Sequence, residues 1–437
     1  MPLSITTLLR VFLPFAAAYF LSYIFRVVNA IIAPDLIADI GLGPSELGML
    51  TSIYFISFAF SQLPLGIILD RFGPRRTEAI LLLFAGAGAL VFSRTETLTG
   101  LVVGRALIGF GVSSCLMAAF KAYTLWFPRE RWPLINGLQM AAGGLGALTA
   151  TSPVESVLQL TDWHGLFLLL MLLTFVAAAM VFLIVPERPP AGHGESLHQQ
   201  LRGIREVFTS IRFWRTAPLT TVTQAAFLSI QGLWAGPWLT HVSGLDRPQT
   251  ATILFSIATA MVTGFIVMGG LAERFQRRGI SLLATAITGI CLFMGVQVLI
   301  ITEAVPWVGP LWLSFGFFGT ASIITYTTLS QSFAIQLSGR VTTAVNLLVF
   351  VAAFIGQWAI GAIIGLWPVT PAGGFAAAGF KAGFSLMLIL QVIALVWFII
   401  ASKRFPRDEI SGIFEPFHNQ RAHPKDSVAT PSNRYTP

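Results

Sequence analysis

Residues 66–76 read Gly66-Ile67-Ile68-Leu69-Asp70-Arg71-Phe72-Gly73-Pro74-Arg75-Arg76, a charge-dense stretch set between two long apolar runs. A degraded copy returns near residue 270: Gly66, Asp70, Arg71, Phe72 and Arg75 align with Gly269, Glu273, Arg274, Phe275 and Arg278 at a constant offset of 203 residues. Each copy falls on the loop after the second apolar run of its half. A repeated charged loop in so apolar a chain predicts a duplicated membrane-spanning bundle.

Composition agrees. The 437 residues are 55% hydrophobic and 11% charged, with a mean hydropathy of +0.77, whereas soluble domains carry about 25% charge. The few charges are therefore confined to short stretches. A spanning helix needs about 20 apolar residues, and twelve runs qualify: 11–33, 47–69, 77–93, 98–126, 132–156, 164–186, 214–240, 249–271, 279–301, 305–335, 339–367 and 377–402. Their length and uniform apolarity exclude barrel strands and predict helices, since hydrocarbon leaves backbone polar groups no outside partner. The first run is too long for a signal-peptide core and contains Arg26, so it reads as a retained span. Cys115 and Cys291 sit inside apolar runs and read as small buried hydrophobes.

Lys and Arg set the orientation. With the N-terminus inside, 21 of the 27 lie on the inner side, and only Arg94, Arg247 and Lys381 lie outside. Arg26, Arg105 and Lys121 fall within spans. Both termini are thus expected in the cytoplasm, in a plasma (inner) membrane if the chain is bacterial. The fold expected is an all-α membrane protein of twelve helices in two pseudo-symmetric six-helix halves. The N-terminal half covers 1–186, a cytoplasmic linker 187–213 with an amphipathic helix, the C-terminal half 214–402, and a polar tail 403–437 that reads as disordered.

The first loop resembles the loop-2–3 motif of the major facilitator superfamily, Gly-x-x-x-Asp-Arg-x-Gly-x-Arg-Arg, and Gly104-Arg105 through Gly109 and Gly111 look like that family's second motif. The resemblance extends over residues 11–402 and implies a solute pathway between the two halves. It also implies that Gly66, Asp70, Arg71, Gly73, Arg75 and Arg76, with Glu273 and Arg274 in the degraded copy, latch the halves on the inner side when the cavity opens outward. The residue chemistry suits this. Gly66 permits close helix contact, and Asp70 can face the positive N-terminal end of the helix starting near Val341.

Arg26 is the sharpest candidate for substrate contact, because an ionisable side chain in hydrocarbon costs a few kcal/mol and marks a functional site. Tyr19 and Tyr23 share its helix face and Asn29 lies near the edge of that face. No Asp or Glu stands at comparable depth to neutralise it. Its planar fork suits a carboxylate or phosphate, and the segment Tyr19–Arg26 resembles the first helix of organic-anion and organophosphate branches of the superfamily. Lys121 is a second cation, placed either toward a cavity or toward the inner surface. Arg105 reads as structural or coupling. Opposite them, Gln231 and Trp234, with Asn346 and Gln357, are the polar residues expected to line the other wall, Gln231, Trp234 and Trp238 sharing one face.

No phosphate-cradling Gly-x-x-x-x-Gly-Lys-Ser/Thr stretch occurs, which disfavours ATP-driven transport. The six histidines form no ligand pair at helical spacing, so neither an enzyme nor a metal site is expected, and no cofactor. Lysine and arginine form no aromatic-interleaved stripe of the kind that binds nucleic acid. Asp35 and Glu155 are the carboxylates nearest the pathway; solvated helix-end charges are the favoured reading and coupling the other. The function expected is secondary or facilitated transport of a small solute, an organic anion, through the lipid bilayer by alternating access, with a coupling proton or counter-anion left open. The alternatives are proton-coupled efflux of amphipathic or cationic compounds, which the absence of a Gly-Pro pair in the fifth span opposes, and a transporter-derived sensor.

Overall fold

The computed structural model describes residues 5–128, 132–187, 197–333, 337–370 and 374–404. Among these every regular element is a helix. In chain order they are α1 (Ile5–Val27), α2 (Asn29–Ile40), α3 (Pro44–Arg94), α4 (Leu98–Gly111), α5 (Cys115–Trp126), α6 (Trp132–Thr149), α7 (Ser152–Leu158), α8 (Trp163–Ile184) and α9 (Leu197–Thr209). The second part comprises α10 (Ile211–Ser229), α11 (Ala235–His241), α12 (Arg247–Arg277), α13 (Leu282–Thr302), α14 (Val308–Gly319), α15 (Ser322–Gln331), α16 (Ser338–Ile364) and α17 (Ala377–Arg404). Residues 188–196 of the expected linker and 405–437 of the expected tail lie outside the described residues.

Nine helices among the described residues are long and apolar enough to cross a membrane. The other three expected spans are also largely helical, and each departs from a plain apolar rod for a local reason. Residues 47–69 form the first limb of α3, which buries Thr51, Ser52, Ser61 and Gln62. Residues 132–156 are split at Thr151 (φ −121°, ψ −121°), just ahead of Pro153. Residues 214–240 pass through a π-helical turn over Ile230–Trp234 before Gly236 and Pro237.

Local chemistry explains where the helices start and bend. The two limbs of α3 meet at Gly73, whose φ of +76° and ψ of 163° suit glycine alone. That turn sits inside the charged loop that opened the sequence. At the opposite end the caps recur at the 203-residue offset. Gly41 and Gly244 both have positive φ, +72° and +67°. The Glu46 Oε2 accepts from the Gly43 N–H at 2.9 Å, as the Gln249 Oε1 accepts from the Asp246 N–H at 3.2 Å. Both are capping interactions that satisfy first-turn donors.

The interior is one continuous apolar cluster running from α1 to α17, including Phe25, Phe55, Phe167, Trp234, Phe315 and Phe384. The outward faces are equally apolar: Leu172 and Leu183 on α8, Ile266 on α12 and Ile393 and Ile400 on α17 are exposed. Such a belt is unsuited to water and suited to lipid. Helix α9 rests Val207 in a cluster with Phe213, Val341 and Val345, docking the linker on α10 and α16.

Candidate functional site

A central cavity of about 750 Å³ runs between the two parts of the bundle. Its walls come from α1, α3, α5 and α6 on one side and from α10, α12, α15 and α16 on the other, and it reaches Gln276 and Leu282 at the end that carries Arg71–Arg76. That end is here called the basic end.

Arg26 is the only charged side chain lining the cavity among the described residues. Its guanidinium carbon lies 4.5 Å from the Tyr23 ring centroid, 5.6 Å from that of Phe58 and 5.5 Å from that of Phe350. The rings hold the cation through their faces. Its Nε has no hydrogen-bond partner, and no carboxylate among the described residues lies within ion-pair distance. The neutral polar lining is spread around it: Ser22, Gln62, Gln224, Gln231, Tyr326 and Asn346.

Of the eight residues expected to touch substrate, the structure brings Arg26, Tyr23, Gln231 and Asn346 to the cavity and places the other four off it. Asn29, just past Val28 between α1 and α2, is fully buried against α3, where its Nδ2 donates to Thr51 Oγ1 at 2.9 Å. Trp234 and Gln231 part company at the π-turn, whose wider step destroys the shared face expected from an α-helix. Trp234 Nε1 donates to the Gln357 carbonyl at 2.9 Å, and Gln357 is itself fully buried away from the cavity. Trp238 packs edge-on against Trp312 with centroids 5.3 Å apart. Lys121 is half-buried on α5, one turn before Leu125 and Trp126, and is not in the lining.

Arg105 is fully buried and donates from Nη1 to the Phe25 carbonyl at 2.8 Å, beside the break between α1 and α2. It therefore ties α4 to α1 and does not line the cavity.

The end opposite the basic end is bridged by charge. Arg247, the first residue of α12, donates from Nη1 and Nη2 to the two Asp35 oxygens at 2.6 and 2.7 Å, and from Nε to Glu155 Oε2 at 2.8 Å. Asp35 and Glu155 are thus not the solvated helix-end charges favoured from sequence; an arginine counted there only as a loop charge bridges both. Backbones also meet closely here. A Cβ on Gly361 would lie 2.3 Å from the Pro44 carbonyl, and one on Gly236 2.4 Å from the Ala30 carbonyl.

At the basic end, Arg75 Nε donates to the Phe182 carbonyl at 2.8 Å, and Arg75 and Arg76 both pair with Glu187. These partners belong to the same half. Arg71, Gly73, Arg75 and Arg76 line a second, smaller cavity of about 230 Å³ together with Ala122, Leu125 and Glu187. Gly66 and Arg274 are exposed, while the side chains of Asp70 and Glu273 lie outside the described residues.

Sequence reasoning passed over Glu78. It stands at the edge of the run read as 77–93, yet it is fully buried, and its Oε2 accepts from Ser114 Oγ at 2.6 Å. The available signal was an acidic residue one turn after Pro74, inside an apolar run, opposite the small-residue stretch Ser113-Ser114-Cys115.

Residues 15–357 match the family model described as Major Facilitator Superfamily. The probable sulfoacetate transporter SauU of Cupriavidus necator is 24% identical over 274 residues, covering 60% of this chain and 64% of that one. A probable L-galactonate transporter of Escherichia coli is 21% identical over 270 residues, covering 55% and 58%. The chain thus matches less than two thirds of the length of either relative. Among solved structures, a bacterial homologue of the human lysosomal transporter Spinster, in an inward-facing and unoccupied conformation, superposes with a TM-score of 0.71 at 17% identity, covering 91% of this chain and 97% of that one. At that identity the likeness shows the fold.

Proposed function

The chain belongs to the Major Facilitator Superfamily, and from that premise we propose that it carries a small organic anion across a membrane, binding the anion at Arg26 in the central cavity. The observation that carries this reading is a guanidinium with no carboxylate beside it, the only charge lining the cavity among the described residues. A buried cation without a counter-charge is costly, and a bound carboxylate or sulfonate would supply one through two parallel N–H···O bonds. The names of the two relatives, a sulfoacetate and a galactonate transporter, are of this chemical class.

In this proposal twelve spans form two six-helix halves, and the cavity alternates between the two faces of the membrane. The Arg247 bridge closes one end while the Arg75 and Arg76 pairs stay within one half, which supports reading this arrangement as one state of the cycle. The excess of Lys and Arg supports a cytoplasmic basic end, with the cavity of this state open inward. Gly66, Asp70, Arg71, Gly73, Arg75, Arg76, Glu273 and Arg274 would form the inner latch in the opposite state, and Arg105 would hold the first span in register.

The test is a thermal-shift screen of purified protein against galactonate, glucuronate, tartrate, sulfoacetate and nicotinate, with lipophilic cations in parallel, followed by uptake of any hit into proteoliposomes. A ligand that binds the folded state raises its stability. Stabilisation and uptake by at least one anion is expected. Stabilisation by lipophilic cations alone would overturn the reading in favour of efflux.

A further inference from the structure

We infer that Glu78 is a proton-binding site that couples anion movement to H⁺, loading and releasing the proton at Oε1 behind the break between α4 and α5. The inference rests on the transporter reading above and adds an energy source to it. Glu78 is fully buried in the second limb of α3, and while Oε2 takes the Ser114 hydroxyl, Oε1 has no partner. No cation among the described residues pairs with it.

The ionisable groups around this carboxyl are few. From α5, the Cys115 thiol and the Tyr123 hydroxyl face it, and Tyr123 donates to Gln139 Oε1 at 2.7 Å. The only ionisable side chain of α4 is Arg105, whose Nη1 is given to the Phe25 carbonyl. Helix α8 packs on the same limb and carries only His164, in its first turn at the far end. An ionised carboxylate here would be a buried charge with only the Ser114 hydroxyl and the Cys115 thiol for company, at a cost of several kcal/mol. The resting site therefore holds the neutral acid, with its O–H intact.

Glu78 lies between the two cavities, behind the wall of each route proposed for the proton. Ser113, Leu116 and Met117 line the central cavity, and between them Ser114 and Cys115 turn toward Glu78. Pro74, one helical turn before Glu78, lines the second cavity at the basic end. Loading forms the Oε1–H bond with H⁺ from water in the central cavity. Release breaks that bond and returns H⁺ to water in the second cavity; no electrons move. One proton carried with one monoanion leaves the cycle electroneutral.

Two measurements on the full chain test this. Infrared difference spectra of the purified protein, recorded between acid and alkaline pH, should show a carboxylic-acid carbonyl band that is missing in Glu78→Gln; an identical band in both proteins overturns the proposal. In proteoliposomes, the five anions of the screen are assayed for counterflow and for accumulation driven by a pH gradient. Glu78→Gln should lose gradient-driven accumulation by about tenfold or more while counterflow stays within about twofold of the parent. Accumulation equal to the parent overturns the proposal, as does parallel loss of both activities in folded protein. Ser114→Ala, which keeps the acid and removes its hydrogen bond, should shift the pH profile of accumulation, and an unshifted profile counts against the site. If the parent shows no counterflow with any anion, the anion-transport reading fails, and the infrared arm still decides whether Glu78 holds the proton.

Discussion

At the scale of single residues, the cavity is organised by how one guanidinium is held. Three ring faces, from Tyr23, Phe58 and Phe350, surround Arg26, and Phe350 comes from the opposite half of the bundle. A planar, delocalised cation fits between rings in a way a tetrahedral ammonium does not. Arg26→Lys should therefore keep the charge and still weaken anion binding by roughly tenfold, while Arg26→Ala should cost about 1.5–3 kcal/mol, or roughly 10- to 150-fold. Uptake kinetics in proteoliposomes with the anion found in the screen check both; unimpaired uptake by Arg26→Ala would remove the anion site. Arg105 should behave differently. Replacing it by Met strands the Phe25 carbonyl in an apolar interior, at a cost of about 1–3 kcal/mol. The expected result is a lower midpoint of thermal unfolding with little change in KM, and a large change in KM with unaltered stability would instead put Arg105 in the pathway.

At the scale of elements, the hydrophobic runs and the loops between them were legible because lipid imposes one rule on every span: bury the backbone in a helix and show apolar side chains outward. What was not legible were the interruptions. A helical wheel assumes a constant step, and that assumption fails at the π-turn over Ile230–Trp234. Trp234 and Trp238 were carried off the expected face by that irregularity, and Asn29, at the edge of its face, is taken by Thr51, whereas Tyr23 and Arg26 stayed where periodicity put them. Glu78 was missed for a different reason: at the rim of an apolar run, sequence cannot distinguish a charge that reaches water from one enclosed by neighbouring helices. Gly73 shows the converse case, where the element depends on a residue the motif already marked. Its φ of +76° with ψ of 163° is closed to residues with a side chain, so Gly73→Ala should cost about 1–3 kcal/mol. Thermal unfolding of the purified variant should show that loss, and a Tm equal to the parent's would mean that the turn relaxes without strain.

At the scale of the whole molecule, the proposed alternation depends on what would hold one end shut while the other is open. The Arg247 side chain spans the two halves, taking Asp35 with two hydrogen bonds and Glu155 with a third, and it is just over one-third exposed. Partial burial makes such a bridge stronger than a surface pair, yet still reversible. Counting charges by loop assigned Arg247 to an outer loop, whereas it is the first residue of α12, and could not reveal that its partners lie 92 and 212 residues away. Arg247→Gln removes three charge-assisted bonds from the closed end and leaves the cavity lining intact. A loss of about 1–3 kcal/mol of closure would move the equilibrium between the two states by roughly 5- to 150-fold. Spin labels placed through Leu160→Cys and Leu366→Cys, on exposed positions beyond α7 and α16, with Cys291→Ala to remove the exposed native thiol, report that change directly. In the parent the distance distribution should be dominated by a short population, and in Arg247→Gln a longer one should grow at its expense. Asp35→Asn combined with Arg247→Gln should add little beyond Arg247→Gln alone, since the two residues share one interaction. An unchanged distribution in Arg247→Gln would mean that the close backbone contacts at Gly236 and Gly361 hold this end shut without help from charge.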